Sequence, residues 1–276
     1  MLRGFYNAAS GMLAQQRKQE ILTNNMANAN TPGYKADTAS LRTFPTMLLQ
    51  HMGETKLNGR SIPNNYSLGQ AGLGTGVYVQ ETTPNFLQGD LSETGIKTDM
   101  ALLQSQVPLD PETKTPGGLF FRLNVNGEER FTRNGHFSVD ASGDLVTAEG
   151  YYVLGKNGNR INVTNENFSV NKDGTVLDNG RIAGQIDVAL IANPNKLVKE
   201  GNGLFKLNGG TAKSAIDNPE AAFQLQQGFV ERSNVNVEST MTDMLTAYRA
   251  FEANQKVLQA YDRSMEKAAN EVGRIG

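Results

Sequence analysis

Apolar and polar positions alternate along the first thirty residues at spacings of four and three, through Phe5, Ala9, Met12, Gln16, Gln19, Thr23 and Met26. That rhythm follows the 3.6-residue turn and predicts a helix over residues 3–28, apolar in its first half and polar in its second. Asn24, Asn25, Asn28 and Asn30 are mediocre helix formers, and Thr31-Pro32-Gly33 stops the helix, so the first segment is 1–33. Residues 34–76 carry Pro45, Pro63, a short helical-looking piece at Phe44 to His51 and the run Gly69 to Gly76, which reads as an extended connector.

From 77 to 232 the pattern shortens to β-branched or alternating runs such as Leu119 to Val125, Glu129 to Thr132, Tyr151 to Leu154 and Ile186 to Ile191. Asn126-Gly127, Asn134-Gly135, Asp173-Gly174 and Asn179-Gly180 supply the positive-φ residues of tight hairpins. Phe137-Ser138-Val139-Asp140 is echoed by Phe168-Ser169-Val170-Asn171, each followed by a glycine turn and a second apolar run, which predicts a repeated hairpin.

Over 233–276 the helical period returns through Val237, Met241, Met244, Tyr248, Phe251, Gln255, Leu258, Asp262, Met265, Ala269 and Val272. This is an a/d seam of about five heptads, roughly 50 Å of helix. Neither terminal stripe can be buried against itself, so the ends are expected to pair with each other or with copies of themselves. The expected fold is α+β: N- and C-terminal helices of coiled-coil type flanking a central, mostly antiparallel β domain with hairpins.

Composition narrows the function. The 276 residues carry 26 Lys plus Arg against 28 Asp plus Glu, with no basic run, which argues against a nucleic-acid partner. No stretch approaches the roughly 18 to 20 apolar residues of a membrane span. The absence of cysteine excludes thiol catalysis, disulfides and Cys-type metal sites. The start, Met1-Leu2-Arg3-Gly4-Phe5, does not lead into the apolar core of a cleaved signal peptide.

Catalytic chemistry finds little support. Gly72-Leu73-Gly74-Thr75-Gly76 lacks the spacing and the Lys-Ser/Thr of a phosphate loop. His51 and His136 lie in different segments without a second ligand, and Asp140 with Asp144 lacks a calcium loop. No cofactor or metal is expected. Methionines and aromatics at helical spacing read as a packing seam rather than a ligand groove.

A resemblance then takes over. Ser10-Gly11-Met12-Leu13-Ala14-Gln15-Gln16 and Asn24-Asn25-Met26-Ala27-Asn28-Ala29-Asn30-Thr31-Pro32-Gly33-Tyr34-Lys35 resemble the N-terminal signature of flagellar basal-body rod and hook proteins. Gln227-Gly228-Phe229-Val230-Glu231-Arg232-Ser233-Asn234-Val235-Asn236, with Met241, Met244 and Tyr248 to Asn254, is similar to the C-terminal motif; Phe131 to Phe137 and Gly150 to Gly155 are similar to the central domain. The chain departs from the family in an added stretch, Gln104 to Gly118, holding Pro108, Pro111 and Pro116.

The resemblance implies a structural, non-enzymatic rod subunit that assembles with copies of itself and other flagellar rod and hook proteins. It also implies passage through the flagellar type III export apparatus without signal cleavage. The implied assembly residues are Met12, Gln16, Asn24, Asn25, Asn28, Thr31, Pro32, Gly33 and Tyr34 in the N-terminal motif. In the C-terminal seam they are Ser233, Asn234, Val237, Met241, Met244, Tyr248, Phe251, Leu258 and Met265. The asparagines suit hydrogen bonds between subunits or, equally simply, a helix end. Hook or rod–hook junction subunits remain open alternatives, as do, in other classes, a peptidoglycan-cutting or export-regulating accessory.

Overall fold

The computed structural model describes residues 2–43, 56–57, 60–61, 76–111 and 113–272. The helical piece expected at 44–51, with His51, and the glycine run at 69–75 lie outside the described residues. The architecture is α+β, with a helix near each end and antiparallel sheets between them. The chain divides into two compact units, one made of Met1–Thr23, Ala39–Thr82 and Glu238–Gly276, the other of Asn24–Thr38 and Thr83–Val237.

In the first unit α1 (Leu2–Ala27) and α2 (Val237–Lys267) run antiparallel, with Gly4 against Tyr261 and Gly11 against Asn254. A Cβ at residue 4 would overlap the Tyr261 ring, and one at residue 11 would stand 3.0 Å from Asn254 Nδ2. Along α1 Ala8, Ala14 and Ile21 are buried; Gly4 and Gly11, which meet α2, fall outside the expected stripe, whose Phe5, Ala9 and Met12 are half-buried. Glycine counts as a poor helix former and as non-apolar, so a hydrophobicity pattern slides off the very positions where helices approach most closely.

The covered row of α2 is Thr240, Met244, Ala247, Phe251, Asn254, Leu258, Tyr261, Met265 and Ala268. It shares Met244, Phe251, Leu258 and Met265 with the expected seam, but Met241, Tyr248, Gln255 and Asp262 are exposed. The covered row thus mixes large apolar residues with the small or polar Thr240, Ala247, Asn254 and Ala268, while Met241 and Tyr248 of the expected seam face outward. The strand Val77–Pro84 pairs with Asp37–Thr43, and the Val77 N–H donates to Ser10 Oγ of α1 at 3.3 Å.

The second unit is built on a nine-stranded antiparallel sheet centred on Gly118–Val125. Glu128–Thr132 lies along one side of that strand, and Tyr152–Val153 with Val188–Ile191 along the other. Its side chains alternate into two cores. Leu119, Phe121 and Leu123 join Met100, Leu102, Phe137, Phe168 and Ile186, while Phe120 joins Phe131, Ala189 and Phe205 on the opposite face. Phe121 meets Phe137 edge-on at 5.2 Å between centroids. Each fully buried phenylalanine contributes about 1.5–3 kcal/mol, which makes this strand the anchor of the unit.

Turn chemistry explains the pairing. Asn126-Gly127 and Asn179-Gly180 adopt positive φ and close two-residue hairpins, with Val125 opposite Glu128 and Asp178 opposite Arg181. Asn134-Gly135 differs from the expectation of a tight hairpin. Gly135 is absent from the positive-φ set; a Cβ there would overlap the Met100 carbonyl, so the glycine serves close approach between segments.

The echoed segments form the same turn twice. Asp140 N–H donates to Asp144 O and Asn171 N–H to Thr175 O, both at 2.9 Å, with Gly143 and Gly174 both at φ 86°. Within the added stretch, Leu109 and Pro116 form a bridge, and the Asp110 carboxylate accepts from Thr113 Oγ1 at 2.6 Å and Asn193 Nδ2 at 2.9 Å. Those bonds fold the insertion back on itself.

Candidate assembly motifs

The end of α1 is held by local amide chemistry. Asn28 Nδ2 donates to Asn24 O at 2.8 Å and Thr31 Oγ1 to Asn28 Oδ1 at 3.2 Å, closing the helix just before Pro32. Gly33 then turns the chain at φ 68°, where a side chain would collide with the backbone of Arg133 and Asn134. Its N–H donates to Glu231 O at 2.7 Å. Only glycine fits both demands at this position.

Tyr34 folds back beneath the helix end, its hydroxyl donating to Asn24 Oδ1 at 2.7 Å, with Asn25 Oδ1 3.1 Å away. Asn25 also brackets Asp37, donating to its carbonyl at 2.8 Å and accepting from its N–H at 2.9 Å. Lys199 Nζ sits 3.9 Å over the Tyr34 ring and 2.8 Å from Asp37 Oδ2. Burial, and behind it the Asp37 charge, raises the Tyr34 phenol above its ordinary range. Asn234 supplies the C-terminal side: its Oδ1 accepts from Ala36 N–H at 2.8 Å, and its Nδ2 donates to Asn85 O at 2.8 Å and Leu87 O at 3.1 Å.

Below this lies a buried ion cluster. Lys35 Nζ contacts Glu231 Oε1 at 2.7 Å and donates to Leu87 O at 2.6 Å. Arg133 reaches Glu231 Oε2 through Nε at 2.8 Å and through its terminal nitrogen at 2.6 Å. The same guanidinium donates to Leu119 O at 2.8 Å and Leu102 O at 3.0 Å. Glu231 Oε1 also accepts from Gly89 N–H at 2.9 Å. All three side chains are almost wholly buried. Burial pushes the Lys35 amine down to about 8, with Glu231 opposing that shift and Arg133 adding to it.

The structure thus brings Asn24, Asn25, Asn28, Thr31, Gly33 and Tyr34 of the first motif together with Asn234 of the second. In the single chain their amides bond to that same chain. Ser233 is half-buried beside them, its Oγ accepting from Val235 N–H at 3.3 Å, and Pro32 is half-buried as well. Met12 and Gln16 lie on α1 in the other unit, half-buried and exposed respectively. On α2, Val237, Met241 and Tyr248 are exposed, while Met244, Phe251, Leu258 and Met265 lie on its covered side.

Lys35, Arg133, Glu231 and Lys199 are absent from the expected site residues. The available signal was a charge flanked by core-forming residues, as in Phe229-Val230-Glu231 and Phe131-Thr132-Arg133. His136, which had no apparent partner, holds the buried Asp99 carboxylate through Nδ1 at 2.6 Å.

Known proteins carry the same motifs over the same stretches. Residues 5–35 match the family described as "Flagella basal body rod protein", 116–177 the "Flagellar hook protein FlgE/F/G D1 domain", and 226–271 the "Flagellar basal body rod FlgEFG protein C-terminal". The flagellar hook-basal body complex protein FlhO of Bacillus subtilis is 45% identical over 276 residues, all of both chains. The chain belongs to the flagellar rod and hook protein family. The basal-body rod protein FlgG of B. subtilis is 32% identical over 98% of this chain and 99% of its own, and that of Borreliella burgdorferi 30% over 98% of each. Membership in the rod and hook family gives the chain a flagellar location and a structural setting. Among the described residues, no helix is long and apolar enough to cross a membrane.

Proposed function

We propose that the chain is a non-catalytic structural subunit of the flagellar rod, polymerising with copies of itself and other axial proteins along coiled-coil-type faces of its terminal helices. One observation carries the reading: the helical unit leaves large apolar side chains outside. Met241, Leu245 and Tyr248 are 58%, 52% and 51% exposed on one face of α2, and Tyr6 and Leu13, one heptad apart on α1, are 63% and 62% exposed. A contiguous apolar helix face stays in water only at a cost of roughly 25 cal/mol per Å², which burial against a neighbouring subunit removes. A rod needs contacts of this kind between unlike faces, so that each added copy leaves a fresh face open. In this reading the assembly residues of the C-terminal seam divide by face: Met241 and Tyr248 face neighbouring subunits, whereas Met244, Phe251, Leu258 and Met265 hold the chain's own helices together.

In this reading the chain reaches the basal body through the flagellar type III export apparatus. The name of the 45% identical relative supports a second reading, a hook–basal body accessory or rod–hook junction subunit. Immunogold electron microscopy of purified hook–basal bodies separates the two. Label along the rod is the expected result, label confined to the hook base favours the second reading, and no label at all overturns both. Strong muralytic activity of the purified chain would overturn the non-catalytic assignment.

A further inference from the structure

Lys35, Arg133 and Glu231 stand 98 and 196 residues apart in the chain, yet they form one buried cluster in which a single carboxylate serves two cations. We propose that this cluster is a proton-weakened latch: the protonation state of Lys35 sets how firmly residues 33–37 stay docked on the segment from Glu231 to Asn234.

The geometry separates the bonds from the charge. A neutral Lys35 amine can still donate to Leu87 O and to Glu231 Oε1, so losing the proton removes the surplus buried charge without removing either contact. The charged groups around the amine are Glu231, from the strand Phe229–Glu231, and Arg133, from the turn after Glu128–Thr132. On its own segment, Asp37 is bonded to Lys199, and Lys199 bonds the Lys35 carbonyl at 3.2 Å rather than its amine. The Tyr34 hydroxyl is turned towards Asn24 and Asn25.

When the latch opens, Lys35 meets water and its affinity for a proton returns to that of an ordinary lysine, near 10.5, against about 8 when closed. The open form therefore holds the proton more tightly, and the closed form gains as pH rises through about 8, until the ordinary value is reached. The latch is weakest at neutral and acid pH and tightens in mild alkali.

Amide hydrogen exchange of the full chain, corrected for intrinsic rate, reads the opening directly at Gly33 and Ala36, whose N–H groups bond Glu231 O and Asn234 Oδ1. Between pH 7 and pH 9 the opening constant should fall about tenfold. In Lys35→Met the fall should vanish. Should that variant lose its near-ultraviolet circular dichroism, Lys35→Arg, whose cation does not titrate in this range, should be equally flat. A flat profile in the unaltered chain, or a retained tenfold fall in either variant, overturns the latch.

Discussion

Phe121 and Tyr248 are both large aromatic residues, but one is sealed at the centre of the sheet unit and the other is half exposed on α2. The contrast holds for their surroundings. In the sheet unit two phenylalanine-rich clusters fill both faces of Gly118–Val125. Its exposed apolar side chains, among them Leu87, Ile96, Leu109, Ile182 and Val198, stand on separate loops and strands. Scattered exposure of that sort is ordinary for a folded domain. In the helical unit Met241, Leu245 and Tyr248 share an exposed face of α2, whose covered row mixes Met244, Phe251, Leu258 and Met265 with small and polar side chains. Among the described residues, one unit fills both faces of its central strand, and the other leaves Met241, Leu245 and Tyr248 exposed on one helix face.

The sharpest way to break the contrast is Phe121→Ala. A cavity in the fully buried cluster should cost about 3–5 kcal/mol, read as a lowered denaturant midpoint. A loss under about 1 kcal/mol would mean that the core collapses around the gap and is less tightly built than described. Gly33→Ala should come next, at about 2 kcal/mol, since the new methyl meets both a left-handed backbone and the Arg133 main chain. An unchanged unfolding curve would show that the motif junction yields easily. Smallest in stability is Tyr248→Ser, within about 0.5 kcal/mol for the unassembled chain. Its effect should appear instead as loss of incorporation into hook–basal bodies. Normal incorporation would leave the exposed face without a use and remove the contrast between the units.

The legible parts of the fold were those set by neighbours in sequence. Asn126-Gly127 and Asn179-Gly180 determine their hairpins through their own dihedral preferences, and the echo between Phe137 and Phe168 reappears as two equivalent turns. Hydrophobicity also found half of the α2 seam, because Met244, Phe251, Leu258 and Met265 are large and apolar as well as covered. It missed Gly4 and Gly11 because close packing there depends on an absent side chain. Gly135 departs from its pattern for a related reason: its sequence matches a turn, but the Met100 carbonyl imposes the requirement from another strand. The Lys35–Glu231–Arg133 cluster was out of reach, since no local rule pairs charges so far apart. In the candidate site, Tyr34 and Asn234 could be singled out by resemblance, whereas their bonding to one another's segments could not.

The two glycines of α1 also fix alignment. They lie seven residues apart, as do the two α2 residues they receive, so a slide by one heptad would set Tyr261 over Gly11 and drive Asn254 onto Lys18, with no notch to accept it. The pair works like a key with two wards, in which the missing side chains of Gly4 and Gly11 add a setting to the apolar contacts of Met244, Phe251, Leu258 and Met265. A helix pair held mainly by greasy contacts could creep along itself under sustained axial load; one indexed by notches must unseat a tyrosine before it moves at all.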